Sequence, residues 1–390
     1  MDKMTEKNGI IYIPALDGVA PVESAISLPD TEKGMLFLRG YPIDILTKKA
    51  SFEEVIYLLL FGKLPTQKAF SSFQEKMKIE QNVPSKTINA LKFLGLRTSL
   101  FDMASIGILS LAQYDSNLKN TTLQANYARA LTLIAKTPIL VAKSLMIKSG
   151  IEPNFISPEL SPVANFMAIL NIPANEEIIR AMEVGQILCS EHEMNASTLV
   201  DRTVASTGAN IYSAVAAGLC AFSGEYHGGA SQFIIEMLRQ IGNPANVQKW
   251  VDDKLMAKNK KDQIIMGFGH RLYKGAGSDP RTAIFKKWAL RLGKKKRDEA
   301  LLETAQALEK YVGEKKNLCA NVDCYFALVN HFIGFSPELS PLIYAMARVT
   351  GWVAHYIEQF HDPNGRILRP RAIYTGSDPS NLKWVDIKDR

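Results

Sequence analysis

The chain of 390 residues is 47% apolar and 22% charged, the balance of an ordinary folded protein with a large core and room for two or three domain-sized units. Its first nine residues are polar and mixed in charge, so no secretory leader is expected, and four cysteines are too few for a disulfide scaffold. The formal charge of +7 is modest but uneven: Lys249 to Arg297 holds fifteen Lys or Arg against four Asp and no Glu, which points to a polyanionic partner there, either a nucleotide cofactor or nucleic acid.

Helical periodicity dominates. Gly9 to Pro14 and Met35 to Arg39 are short alternating runs that read as strands. Phe52 to Phe61, FEEVIYLLLF, predicts a largely buried helix with Ser51 as N-cap, Glu54 closing a capping box and Gly62 as the stop. Asn175 is an N-cap candidate for a helix over Glu176 to Cys189, in which Ile178, Ile179, Met182, Ile187 and Leu188 are apolar. Thr203 to Gly224 lacks charge for 22 residues, about a bilayer's width; its Ala, Gly, Ser and Thr content predicts a buried, closely packed helix instead. Beyond His227 the pair Gly228-Gly229 breaks the chain. Ser231 can then cap a helix with Phe233, Ile234, Met237, Leu238 and Ile241 on one face, stopped at Asn243-Pro244. Lys294 to Arg297 reads as a solvated helix terminus rather than a nuclear or nucleic-acid signal. With no tandem repeat and no low-complexity linker, the expected fold is predominantly α-helical.

Cys189, Cys220, Cys319 and Cys324 lack CxxC spacing and a His partner pattern, so reduced thiols are expected rather than a zinc site. His192, in SEHEMNAST, is not part of a zinc helix, because the second His of that pattern is replaced by Ala196. His227, in GEYHGGAS, sits where the glycines let backbone approach a ligand. A helix beginning just downstream would keep the ring neutral, able to donate to a carbonyl oxygen; simple packing in a helix-entry turn is the equal alternative. His270 closes MGFGH, which fails as a dinucleotide fingerprint because Leu272 replaces its third Gly. What remains is a basic turn able to wrap a phosphorylated ligand, or a solvated loop. Asp323, flanked by apolar residues in CANVDCYFAL, is either a desolvated base or the N-cap of a helix starting near Cys324. Arg348 on an apolar stretch, with Arg366, Arg369 and Arg371, suits a ligand with several carboxylates or interhelical ion pairs.

The order of these motifs is more telling than any one of them. HExNAST, HGGA, GFGHRxYK, DPR, NVD, ARVTGW and RPRAxYxG follow one another between Leu16-Asp17-Gly18-Val19 and Gly376, and in this the chain resembles the citrate synthase family. The resemblance implies an all-α homodimer. A large helical domain would comprise residues 1–228 and 335–390, and a smaller inserted domain, 229–334, would bind CoA and close over the substrates. It further implies condensation of acetyl-CoA with oxaloacetate in the tricarboxylic acid cycle, in the cytoplasm. CoA thioester would be a substrate, with no cofactor, metal, nucleic acid or membrane involved. By resemblance Asp323 is the base toward the acyl α-carbon, His227 binds the thioester oxygen, and His270 polarises the oxaloacetate carbonyl. His192, Arg281 and Arg348, with Arg369 from the partner subunit, bind oxaloacetate; Gly267, Gly269, Arg271 and Lys274 bind CoA.

The chain departs from the family pattern in places. Gly275-Ala276-Gly277 lengthens the loop before Asp279-Pro280-Arg281, Glu225-Tyr226 precedes the His-Gly-Gly, and Ala320 replaces a common Pro. Cys324, Phe326 and Ala327 imply a bulkier surround for Asp323, with a bearing on which acyl chain fits. A 2-methylcitrate synthase using propionyl-CoA, which shares these motifs and whose substrate differs by about one methylene, is the near alternative, and a catalytically silent regulatory or nucleic-acid-binding relative the distant one.

Overall fold

Apolar periodicity near 3.6 residues gives sixteen α-helices among the described residues of the computed structural model, which are 5–7, 9–273, 279–296, 299–378, 380 and 382–389. Two units result. The first, residues 1–23 and 366–390, holds an antiparallel pair of strands, Thr5–Lys7 and Ile10–Tyr12. The second, residues 24–365, is helical apart from a three-stranded antiparallel sheet of Ser27–Asp30, Met35–Leu38 and Tyr41–Pro42, whose Leu36 and Leu38 are buried.

Local signals act as expected at several helix ends. Ser51 and Glu54 form the reciprocal capping box of helix Phe52–Phe61, which stops at Gly62 with φ +75°. The Asn175 side chain accepts from the Ile178 N–H at the start of helix Glu176–Cys189.

Three expectations are corrected. Thr203 to Gly224 is not one helix: Gly208, at φ +80°, lets the chain turn, and Asn210 caps a second helix. The segment therefore divides between Ala196–Ser206 and Ile211–Phe222. Ser231 does not cap the next helix, because a 3-10 turn, Gly228–Ser231, runs directly into Gln232–Ile241. Phe233 lies off the buried face of that helix, which is formed by Ile234, Ile235, Met237, Leu238 and Ile241.

Helix Ser340–Phe360 is buried along nearly its whole length, as its apolar circumference requires. It packs against Leu123–Lys148, Glu176–Cys189, Ala196–Ser206 and Ile211–Phe222. Leu123–Lys148 is long and apolar enough to cross a membrane, but most of it is buried, packed against the central helix, Leu100–Leu111 and Pro162–Ile169. Gly351 brings the central helix against the Ser190-Glu191 backbone: a Cβ there would stand 2.2 Å from Glu191 Oε2 and 2.6 Å from the Ser190 carbonyl. Glu191 is held in turn by His355 Nε2 at 3.0 Å and by the Ser27 hydroxyl at 3.0 Å, while Ser27 Oγ accepts from the Glu193 N–H. Strand and central helix thus fix the turn that follows helix Glu176–Cys189, and His192 is set inside that turn.

Candidate active site

A cavity of about 360 Å³ is lined by His192, His227, His270, Arg281, Asp323 and Arg348, residues spread over more than 150 positions of chain. Gly267 and Gly269 do not line it, Lys274 is outside the described residues with Gly275-Ala276-Gly277, and Arg369 is exposed in the unit made of the two chain ends.

Asp323 and His270 owe their places to one backbone arrangement. The GFG segment, with Gly267 at φ +82° and Gly269 at φ +80°, runs beside Cys319 to Asn321. Asn321 donates its backbone N–H to the Gly267 carbonyl and its side-chain amide to the Gly269 carbonyl, both at 2.9 Å, and the Gly269 N–H donates to the Cys319 carbonyl. Asn321 Oδ1 accepts from the Asp323 N–H at 3.0 Å, so Asn321, not Asp323, caps helix Val322–Ile333. Released from capping, the Asp323 carboxyl faces the cavity from the first helical turn. Burial, helped by nearby Asp279 and opposed by Arg281 and Arg348, pushes its pKa up to about 7.

The two central imidazoles are held as opposite tautomers. His270 Nδ1 accepts from the Leu272 and Tyr273 backbone N–H groups at 3.1 and 3.3 Å, so its proton resides on Nε2. His227 Nε2 accepts from the Ser197 backbone N–H at 3.3 Å and lies 2.9 Å from the Ser197 hydroxyl, so its proton resides on Nδ1. Burial, with Arg281 near His270 and Arg348 near His227, lowers both pKa values to about 4. Each ring is a neutral donor at physiological pH. The helix end that meets the His227 ring is that of Ala196–Ser206, through the Ser197 N–H, and not that of the following helix.

The His-Gly-Gly glycines serve packing. A Cβ on Gly228 would stand 1.9 Å from the Phe222 ring, and one on Gly229 2.8 Å from the Ser223 carbonyl. Gly228→Ala is expected to cost about 1–3 kcal/mol by overpacking and to displace His227. A urea midpoint unchanged from the wild type would contradict this.

Cationic groups meet opposite the carboxylate. Arg281 is buried in an ion pair with Asp279, Nη2 to Oδ2 at 2.6 Å, and Arg348 donates to the Cys189 carbonyl at 2.9 Å. Both guanidinium groups donate to Tyr344 Oη, at 2.9 and 3.2 Å. Tyr344 went unread in the sequence; its signal was its place four residues before Arg348 on one helix face. His192 Nε2 is 3.2 Å from Tyr273 Oη, and burial, with Arg281, His270 and Arg348 nearby, keeps this third ring neutral as well.

The bulkier surround of Asp323 does not reach the cavity. Cys324 lies behind Gly267, and Phe326 packs on Phe285 and Tyr344; neither these two nor Ala327 lines it. Tyr226 and Arg271 do line it, Tyr226 in an exposed position. All four cysteines are free.

Such a cavity can remove a proton from carbon with one carboxylate, stabilise two carbonyl oxygens with neutral imidazole N–H groups, and hold carboxylates on paired guanidinium groups. The family model for the citrate synthase C-terminal domain matches residues 15–371. The chain is 37% identical over 380 residues to citrate synthase 2 of Bacillus subtilis, covering 96% of this chain and 98% of that one. It is 35% identical over 382 residues to citrate synthase of Saccharolobus solfataricus, with the same coverage. Its structure is similar to that of Thermoplasma acidophilum citrate synthase in ternary complex with carboxymethyl coenzyme A and oxaloacetate, with TM-score 0.89 and 30% identity over 96% of this chain and 98% of that one. With these likenesses, and with six of the seven ordered motifs gathered around one cavity in a helical fold, this chain belongs to the citrate synthase family.

Proposed function

We propose that the protein condenses acetyl-CoA with oxaloacetate and water, giving citrate and free CoA. The observation that supports this most is the meeting of a carboxylate of raised pKa with two neutral imidazoles of fixed tautomer and two buried guanidinium groups. The Asp323 carboxylate takes a proton from the acetyl methyl group while His227 Nδ1–H donates to the thioester oxygen, so negative charge does not build up unpaired on the enol oxygen. The enol carbon then attacks the ketone carbon of oxaloacetate, whose oxygen receives His270 Nε2–H. Arg281, Arg348 and His192 orient the oxaloacetate, and water cleaves the citryl thioester to release CoA.

The finer parts of the reading are these. Residues 229–334 form a domain that closes on 1–228 and 335–390. This is supported by the derivation of the cavity wall from both sides, His270, Arg281 and Asp323 facing His192, His227 and Arg348. The active assembly is a cytoplasmic homodimer in which the partner subunit's Arg369 completes the carboxylate site. Arg271, Lys274 and the backbone of Gly267 and Gly269 hold CoA within the basic stretch, and no metal or cofactor takes part.

Purified protein with both substrates should release thiol, and propionyl-CoA should support a kcat/KM lower by about tenfold or more, the value of one methylene in a fitted pocket. Absence of thiol release would overturn the assignment. The pH profile follows from the ionisation of Asp323. The carboxylate is the active form, so kcat/KM falls as pH drops through about 7, by roughly tenfold per unit once well below it. His227 and His270, with pKa values near 4, add no second limb between pH 5 and 8. Rates that stay flat from pH 8 to pH 5.5 would exclude Asp323 as the base.

A further inference from the structure

A second cavity, of about 220 Å³, lies on the far side of helices Glu176–Cys189 and Ser340–Phe360 and shares no residue with the first. Its walls are apolar and soft, with Met77, Met167, Met346, Ile56 and Pro138 among them. Four polar side chains line it, those of Glu53, Ser161, Glu183 and Gln186. Gln186 is buried and its side-chain N–H donates to the Ile343 carbonyl at 3.2 Å, which leaves Oε1 without a donor. The two carboxylates, of Glu53 and Glu183, are both half-buried. Glu53 accepts from the Gln74 amide at 2.6 Å, and Glu183 is paired with Arg180 at 2.8 Å.

Two carboxylates beside an undonated amide oxygen make an electronegative rim on an otherwise greasy hole. Burial, together with the charge of Glu183, lifts the Glu53 pKa in spite of Gln74 and Lys78, and a cation placed there would relieve that cost. An apolar cavity of about 150 Å³ accepts a benzene ring, so this one accommodates a ring and a short chain.

From this geometry we infer that the cavity is a binding site for a small arylalkyl ammonium ion, its ring among the methionines and its N–H groups on Glu53, Glu183 and Gln186 Oε1. The site is separate from the catalytic cavity, and the inference does not depend on the proposed reaction. Calorimetric titration of the whole chain with 2-phenylethylamine at pH 8 is expected to show one saturable site with Kd of about 1 mM or tighter. 2-Phenylethanol, equal in size but uncharged, should bind at least about tenfold more weakly. Glu53→Gln should weaken amine binding by a similar factor. Val163→Phe, which fills the cavity from its wall and leaves the carboxylates in place, should abolish it, with the unfolding midpoint of each variant recording that the fold is intact. Absence of saturable binding, equal affinity for the alcohol, or amine binding indifferent to both substitutions would each overturn the inference.

Discussion

Asp323→Asn should reduce kcat by about a thousandfold while oxaloacetate binding stays within about threefold of the wild type. The asparagine keeps the shape of the side chain and leaves the Asn321 cap untouched, since that cap uses the backbone N–H of residue 323 and not its side chain. What disappears is the proton acceptor, and general-base contributions are typically a hundredfold to ten-thousandfold. Thiol release gives kcat and calorimetry gives the oxaloacetate Kd. A variant retaining a tenth of wild-type turnover would remove Asp323 from the mechanism.

His270→Gln should lower kcat by about a hundredfold to a thousandfold, the usual value of one preorganised donor to a developing oxyanion, and raise the KM for oxaloacetate. The reason is directional. Two backbone N–H groups hold Nδ1 as acceptor and so fix the proton on Nε2, whereas a glutamine amide has more rotatable bonds and no such enforced orientation. Its acidic pH limb should be unchanged, because that limb belongs to Asp323. A shifted limb at undiminished kcat would assign the titration to the imidazole.

Much of the fold was legible in the sequence wherever its cause was local. Ser51 and Glu54 satisfy each other within one helical turn, so their spacing carries the whole signal. Thr203 to Gly224 misled because the absence of charge is blind to backbone: Gly208 and Asn210 divide an uncharged run. The site was legible as an order of motifs, not as a geometry. Nothing within CANVDC indicates that Asn321 fastens to glycines about fifty positions earlier, and so Asp323 could be read as a cap as readily as a base, the cap being the plainer reading. Tyr344 escaped because a tyrosine among apolar residues looks like core, and its place four residues before Arg348 gains meaning only from its contact with two arginines of different helices.

Asn321 joins the segment that carries His270 to the helix turn that carries Asp323, through its backbone N–H and both ends of its side-chain amide. Any displacement of this segment therefore carries Asp323 and His270 along as a single tool, their spacing preserved. What such a movement would alter is their distance from His227 and Arg348, with the alignment within each half kept.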